Sequence, residues 1–550
     1  MNARTFQENE EVDFVVVGSG AAGGVLAREL STAGFQVVVL EQGPWRRSEE
    51  FGHDELATWI LGDLLPPPPR FPQTFRRDEG EAAQIRSDPP PLIYAQGVGG
   101  SSVHYTANFW RLRPVDFRER SLLGPIAGTG FADWPITYEE LEPYYTKVDW
   151  EIGVSGAPGP ADPPRSRPYP MPPLPVKSSG VLLERGATRL GWHAQPAPMA
   201  INSQPHDGRP GCVHCGFCMS YGCEVGAKSS TLVTTIPTAV ATGNCEIRTE
   251  STVLRVETDR TGCCTGVVYV DAGGAEHRQR ARAVVLSANG AETPRLLLLS
   301  ESTLFPQGLA NASGKVGRYL MCNGQSAAYG SFDEPLNEYK SVQVTRIIHD
   351  FYETDPARGF YGGGGMDARL SFGPLLFALW NLPADGPQWG AEYKRLLHER
   401  YTRTMEVAGH TTSLALESNS ITLDPEVRDH WGRPALRMTY RDHPDDMAAM
   451  RFFQDRSLEL LEAAGARHVW SWPVEETGLT AHLLGTCRMG DDPQNSVVDR
   501  YHRAHDVPNL FICDGGSMVT SGRGQPTMTI QALAFRAGEH IAEFARRGEI

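Results

Sequence analysis

Residues 12–43 read VDFVVVGSGAAGGVLARELSTAGFQVVVLEQG. A run of Val residues predicts a buried strand, and it ends in Gly18-Ser19-Gly20-Ala21-Ala22-Gly23. Each glycine has a separate steric task there. Gly18 permits the tight turn, Gly20 lets the backbone approach a pyrophosphate, and Gly23 lets the following helix sit close to the sheet. The phosphates would lie against the helix N-terminus, beside Ala21 and Ala22, where free N–H groups and the helix dipole favour anions. Glu41 closes the next strand, 23 residues after Gly18, where a carboxylate can accept from ribose hydroxyls. The motif has its strand, turn, helix, second strand and acid in order. The stretch therefore predicts a Rossmann-like dinucleotide-binding unit in an α/β protein. Whether the dinucleotide carries nicotinamide or flavin is not decided by this fold.

A chain of 550 residues is too long for one hydrophobic core, so two or more lobes are expected. Apolar residues make up 40% and charged residues 21%, the balance of an ordinary globular protein. The net charge is −15 with no long basic run, which excludes a phosphate backbone as a natural partner. The polar start of the chain lacks the basic and apolar pattern of a secretory leader, so the cytoplasm is the default expectation. No apolar run has the length of a membrane span. The nearest, Leu370 to Leu382, is interrupted by Gly373, Pro374 and Asn381 and is expected to pack inside a lobe, with a membrane-partner contact as the other reading.

Working outward, residues 64–73 and 158–175 are rich in Pro and should be extended segments or crossovers. In DWPITYEELEPYY (133–145), Thr137 with Glu140 three residues on forms a capping box that predicts a helix start. Within 246–288, TVLRVETD and TGVVYVDA resemble hairpin strands, and RARAVVLSANG resembles a buried strand entering a glycine turn. NLFICDGG and TMTIQALAFRAGEHIAEFARR predict a late strand and a final helix. The expected domains are 1–325, mainly nucleotide-binding with an inserted Pro-rich and Cys-rich segment at 158–230; 326–470, mainly substrate-binding and built on an antiparallel sheet; and 471–550, returning to the first lobe.

Four blocks carry a family resemblance: QGVGGSSVHYTANFWRLRP (96–114), SANGAETPRLLLLS (287–300), HLLGTCRMG (482–490) and NLFICDGGSMVTSGRGQPTMTIQALAFRAGEHI (509–541). Their order resembles that of the glucose–methanol–choline (GMC) oxidoreductases. The pattern is most similar to bacterial glucose, gluconate and fructose dehydrogenase flavoprotein subunits, and further from pyranose and glycoside oxidases. The resemblance implies FAD. It places Gly99, Gly100 and Ser101 along the flavin, Val253 and Ala288 among the cofactor contacts with the Val253 backbone at the adenine, and Asp514 and Gly515 near the ribityl chain and pyrophosphate, with Pro526 and Thr527 beside them. His104 matches a histidine that some relatives bond covalently to the flavin and others do not. Both readings, a covalent link and a hydrogen-bonding wall residue, stay open.

Oxidising a hydroxyl requires a base for the O–H proton and an orienting polar group beside the carbon that loses hydride. His482 matches the family's active-site histidine. At the second position relatives carry Asn or His, whereas this chain has Gln525, which keeps an amide donor and acceptor on a longer stem. The implied reaction passes electrons from a sugar, glycoside or related alcohol to a cytochrome, a quinone or dioxygen. Cys212, Cys215, Cys218 and Cys223 sit within twelve residues. The resemblance implies an iron–sulfur cluster for this segment; a structural zinc or disulfide pair, and unliganded thiols, are the alternatives. Related dehydrogenases can be exported with a small partner subunit, so a periplasmic location by co-export is the alternative to the cytoplasm.

Overall fold

The computed structural model describes residues 5–550 apart from 8, 63–69, 87, 88, 161, 384 and 385, so the heart of the first Pro-rich run lies outside the described residues. Val12–Val17 is the central strand of a parallel sheet, between Val37–Leu40 and Glu276–Leu286. Cys245–Arg248 extends the sheet on one side and Leu510–Ile512 on the other. Val37–Leu40 and Leu510–Ile512 are buried throughout. With both faces of a parallel sheet covered, no polar alternation is needed, hence the unbroken Val and Leu runs. Helices Gly23–Thr32, Tyr138–Val148 and Thr527–Arg546 pack together beside this sheet.

Glu276–Leu286 belongs to two sheets. Its second half pairs in parallel with Val12–Val17, while its first half pairs antiparallel with Cys264–Val270, which pairs in turn with Thr252–Thr258. The hairpin and the buried strand read from 246–288 are thus one continuous unit. The capping box at Thr137 also forms: its hydroxyl accepts from Glu140 N at 3.3 Å and the Glu140 carboxylate accepts from Thr137 N at 2.8 Å.

The second lobe is a six-stranded antiparallel sheet in the order His468–Ser471, Gln325–Ser331, Thr404–Thr411, Gly364–Arg369, Arg346–Ile348, Ala194–Pro196. Helices Pro444–Ala464 and Ser178–Leu190 cover one face, with Phe453, Leu460, Leu461 and Leu183 in a common core with Met366, Met405 and Val407. Residues 178–196, from the segment between the two nucleotide-lobe stretches, therefore belong structurally to this lobe. A third, small sheet joins Gln73–Arg76 in parallel to the hairpin Ser420–Arg428 and Pro434–Thr439. Along Leu370 to Leu382, Leu370, Leu376, Phe377 and Leu382 are buried, whereas Leu379 and Trp380 face outward. Among the described residues no helix is long and apolar enough to cross a membrane.

Candidate active site

A cavity of about 780 Å³ runs along the C-terminal ends of the parallel strands and on to the antiparallel sheet. That volume is typical of small-molecule and cofactor sites. The Gly18 turn, Ala21, Ala22, Glu41, Val253 and Ala288 line one end, and His482 and Gln525 line the other. Gly18 has φ +92°, and a Cβ there would meet Ser287 O at 2.5 Å. A Cβ on Gly23 would meet Gly18 O at 2.0 Å, so this glycine serves the turn itself and not the cavity wall. Gly20 differs. The nearest atom to its added Cβ is Gly100 Cα at 3.9 Å, so chain packing does not demand glycine there. The following helix has no side-chain N-cap, which leaves its first N–H groups for an anion. This is the cradle a dinucleotide pyrophosphate requires.

Glu41 knits two turns together. Its Oε2 accepts from Ser19 N at 3.1 Å and Ser19 Oγ at 2.6 Å, and its Oε1 accepts from Gly43 N at 3.0 Å and Gly97 N at 3.2 Å. Burial raises the Glu41 carboxyl above its ordinary value, against these bonds, which favour the ionised form. Ser19 Oγ also accepts from Gly99 N at 3.2 Å. The 18–20 turn and the 97–101 turn are therefore held as one wall. Gly99 lies behind it, where a Cβ would strike Val103 and Leu232, and Gly100 and Ser101 face the cavity. The Val253 carbonyl accepts from Arg433 Nη1 at 3.0 Å. Asp514 accepts from Thr293 Oγ1 and Gly516 N, and burial pushes its carboxyl up to about 6. Gly515, Pro526 and Thr527 complete this side. His104 lines the cavity with its Nε2 buried and without a hydrogen-bond partner, and burial, aided by the Lys228 ammonium, pushes the ring down to about 4.

At the other end, burial pushes His482 down to about 3, so its imidazole is neutral at neutral pH. Its Nδ1 lies 3.1 Å from Asn323 Oδ1. The Asn323 amide nitrogen donates to the carbonyls of Thr411, Ser521 and Gly522 at 3.0, 3.3 and 3.3 Å. Those three acceptors fix which way the amide points, so Asn323 Oδ1 must accept from His482 Nδ1–H. The lone pair of His482 then lies on Nε2, where a base needs it. Gln525 Nε2 is 3.4 Å from His410 Nδ1, and His410 Nε2 is 2.9 Å from Asp367 Oδ2, which also pairs with Arg369.

Sequence reasoning singled out His482 and Gln525 but missed Asn323, His410, Asp367 and Arg369. One signal was present. His410 is a polar residue in TMEVAGHT, a strand buried at every position, and Asp367 and Arg369 stand two apart, on one face of a strand. Their meeting depends on strand register, which pairs Gly365 with His410 and Asp367 with Ala408.

The four clustered cysteines line one small cavity of about 20 Å³ together with Lys228. None is in a disulfide. Cys212 Sγ accepts from His214 N and Cys223 Sγ from Lys228 N, at 3.3 and 3.4 Å. Burial pushes the Cys218 thiol up to about 12. Among the described residues, no three His, Cys, Asp or Glu side chains are disposed to hold a metal ion. The loop touches the large cavity, because Met219 and Ser220 line it and Ser220 N donates to the His104 carbonyl at 2.6 Å.

Comparison with known proteins agrees with this geometry. Profiles of the GMC oxidoreductases match residues 133–320 and 415–534. The chain is 36% identical to 2-methyl-1,2-propanediol dehydrogenase of Mycolicibacterium austroafricanum, over 97% of this chain and 95% of the relative. It is 28% identical to the fructose dehydrogenase large subunit of Gluconobacter japonicus, over 98% and 99%. Among solved structures, formate oxidase of Aspergillus oryzae superposes with a TM-score of 0.66 at 16% identity, covering 99% of this chain and all of that one, a likeness of fold. The chain belongs to the GMC oxidoreductases and is an enzyme of that family.

Proposed function

We propose that this protein binds FAD in the large cavity and oxidises a CH–OH group of a sugar, glycoside or related alcohol, with His482 as the base. The observation that carries this is the neutral His482 ring, its Nδ1–H held by Asn323 and its Nε2 left as the acceptor on the wall of the cavity that begins at the glycine cradle. FAD, when bound, would accept the hydride at flavin N5. The chain's own residues do the rest. Gly18, Gly20, Ala21 and Ala22 would hold the pyrophosphate, and Gly100, Ser101, Asp514 and Gly515 would border the ring and ribityl chain. His482 Nε2 takes the hydroxyl proton as the carbon gives up hydride, and Gln525 orients the substrate. Relatives named as dehydrogenases of a diol and of fructose support this substrate range. Anaerobic bleaching of the bound flavin by a panel of sugars, glycosides and simple alcohols tests it, and bleaching by none of them would overturn it.

The partnerless Nε2 of His104 supports a covalent bond to the flavin. Acid precipitation would leave the yellow colour in the pellet if the bond exists and in the supernatant if His104 only lines the wall. The acceptor is not read from the cysteine loop. Cys212, Cys215, Cys218 and Cys223 are unpaired and border a cavity of only about 20 Å³, and among the described residues no three metal-ligating side chains are disposed to hold a metal ion, so the loop as it stands does not fit an iron–sulfur cluster and no electron step is assigned to it. A cytochrome or quinone would receive the electrons, through a small partner subunit where one is co-exported. An iron assay on the purified protein should find no metal in the loop, and stoichiometric iron per chain would overturn that reading. Turnover that yields hydrogen peroxide in air, without need of an artificial acceptor, assigns the protein to the oxidases instead. Soluble expression alone, without partner, in the cytoplasm would favour that location over the periplasm.

A further inference from the structure

The loop that carries Gln525 reads Ser521-Gly522-Arg523-Gly524-Gln525. An arginine between two glycines ordinarily belongs at the surface, and is buried only when paired. Arg523 is 2% exposed. It donates through Nη1 to Asp116 and through Nη2 to Glu119, and Nη2 also reaches Thr354 Oγ1 at 3.2 Å. The far oxygens of both carboxylates are occupied as well. Asp116 Oδ2 accepts from Arg113 N at 2.6 Å and from the Tyr352 hydroxyl at 2.7 Å, and Glu119 Oε2 accepts from the Tyr361 hydroxyl at 2.8 Å. Asp116 and Glu119 stand on the short helical turns after the 96–114 block. Tyr352, Thr354 and Tyr361 lie between Arg346–Ile348 and Gly364–Arg369 of the antiparallel sheet. The guanidinium therefore joins both lobes at the loop that bears Gln525.

A buried ion cluster of this kind adds little net stability, because taking its charges out of water costs about what their attraction returns. What it supplies is a fixed position, and this loop needs one. Gly522 and Gly524 have φ of +64° and +128°, and glycine imposes no backbone shape of its own. Neither can be replaced by a stiffer residue: a Cβ on Gly522 would meet Leu112 Cδ2 at 2.5 Å, and one on Gly524 would meet Trp110 at 2.9 Å and His410 at 3.0 Å. Upstream, neutral bonds tie the loop, from Trp134 Nε1 to Thr520 Oγ1 at 2.9 Å and from Ser413 N to Ser521 Oγ at 2.8 Å. Between Ser521 and the helix that begins at Thr527, Arg523 is the one charged residue. On one side of it, Ser521 and Gly522 present two of the three carbonyls that orient Asn323. On the other side, Gln525 faces the cavity, which Arg523 itself does not line.

We propose that Arg523 is a positioning residue for the reaction: anchored between Asp116 and Glu119, it sets the loop so that Asn323 keeps the His482 proton on Nδ1 and Gln525 meets the substrate. This rests on the reading of His482 as base and Gln525 as orienting group, and deepens it. Arg523→Lys keeps the charge but loses the planar fork that holds two carboxylates in one geometry. With the holoenzyme, kcat for anaerobic flavin reduction is measured with the fastest of propane-1,2-diol, D-fructose and methyl β-glucopyranoside. In Arg523→Lys it should fall about 10–100-fold, the cost of a misplacement on the order of 1 Å, while flavin content stays at wild-type level. In Asn323→Ala/Gln525→Ala, which lacks both side chains that the loop aims, the same substitution should cost less than about threefold, because effects that act through a shared group do not add. A purely structural role would lower flavin content or thermal stability and leave kcat per bound flavin unmoved. A wild-type kcat in Arg523→Lys, or an undiminished loss in the doubly substituted background, would overturn the proposal. Glu119→Gln serves where Arg523→Lys yields no folded holoenzyme. Its neutral amide binds the guanidinium about half as strongly, so kcat should fall about threefold or more, and a wild-type kcat would again overturn the proposal. The second arm needs no turnover. In the crystal structure of whichever variant folds, Gln525 and the Ser521 and Gly522 carbonyls should be displaced by about 1 Å or more, and an unmoved loop would reject the assignment. Reduction of the wild-type flavin by none of the three compounds would overturn the reading of His482 as base and leave the position of the loop to decide on Arg523.

Discussion

At the scale of single residues, the site depends on groups that act through a neighbour. His482→Ala removes the base and should lower kcat by about a thousandfold, in the usual range for general base catalysis. Gln525→Ala leaves that base in place and should cost less, with the loss weighted toward KM. Asn323→Ala keeps the imidazole but frees its tautomer, because nothing then holds Nδ1–H. Its kcat should fall by about 10–100-fold while flavin content stays at wild-type level, as measured by absorbance of the purified holoenzyme. A wild-type kcat for Asn323→Ala would show that the ring is held by other means. Gln525 and His482 could be read from sequence because each stands in a block of characteristic spacing. Asn323 could not. It follows Cys322 at the entry to a strand, with φ +50°, and nothing local marks it; its partners at 411, 482, 521 and 522 are brought together only by the fold.

At the scale of elements, the strand–turn–helix unit was legible because each of its residues answers to a local constraint. The buried Val strand, the positive φ of Gly18 and the close packing at Gly23 are short-range matters. The hairpin at 252–270 and the capping box at Thr137 were legible for the same reason. The antiparallel sheet was less so. Its strand Ala194–Pro196 arrives from far upstream, and its pairing with Arg346–Ile348 leaves no periodic mark on a three-residue segment. Gly20 and Gly23 now separate two kinds of requirement. Gly20→Ala meets no atom of the chain closer than 3.9 Å, so the melting temperature of the flavin-free protein should stay within about a degree of wild type. FAD affinity should nevertheless fall at least tenfold, since the added methyl occupies the approach to the pyrophosphate. Gly23→Ala drives a methyl into Gly18 O and should cost the flavin-free fold about 1–3 kcal/mol, the range of overpacking. Equal effects of the two substitutions on the flavin-free protein would show that the turn is not built as described.

At the scale of the whole molecule, buried histidines make stability depend on pH. Burial pushes His104 down to about 4, and His482 and His502 down to about 3. The unfolded chain protonates each near its ordinary 6.5, so between that value and the folded one the unfolded state binds more protons. Their stabilising contribution is whole above pH 6.5 and is lost as the pH falls toward 3–4. Asp514 pulls the other way: its carboxyl, raised to about 6, favours the folded state at acid pH and loses that contribution as the pH rises from 3.8 through 6. His502 isolates the histidine effect, because it is fully buried, does not line the large cavity and donates Nδ1–H to the Ile512 carbonyl at 3.0 Å. Its φ of +66° is one that Asn adopts more readily than most residues, and Asn can still donate an N–H. In the wild type, lowering the pH from 7.5 to 5 should cost about 2 kcal/mol through His502 alone, at 1.36 kcal/mol per unit between 6.5 and 5. His502→Asn should remove that share, so its loss of unfolding free energy over the same pH step, measured by urea denaturation of the holoenzyme, should be smaller than that of the wild type by about this amount. An unchanged pH dependence would mean that His502 takes up its proton in the folded state.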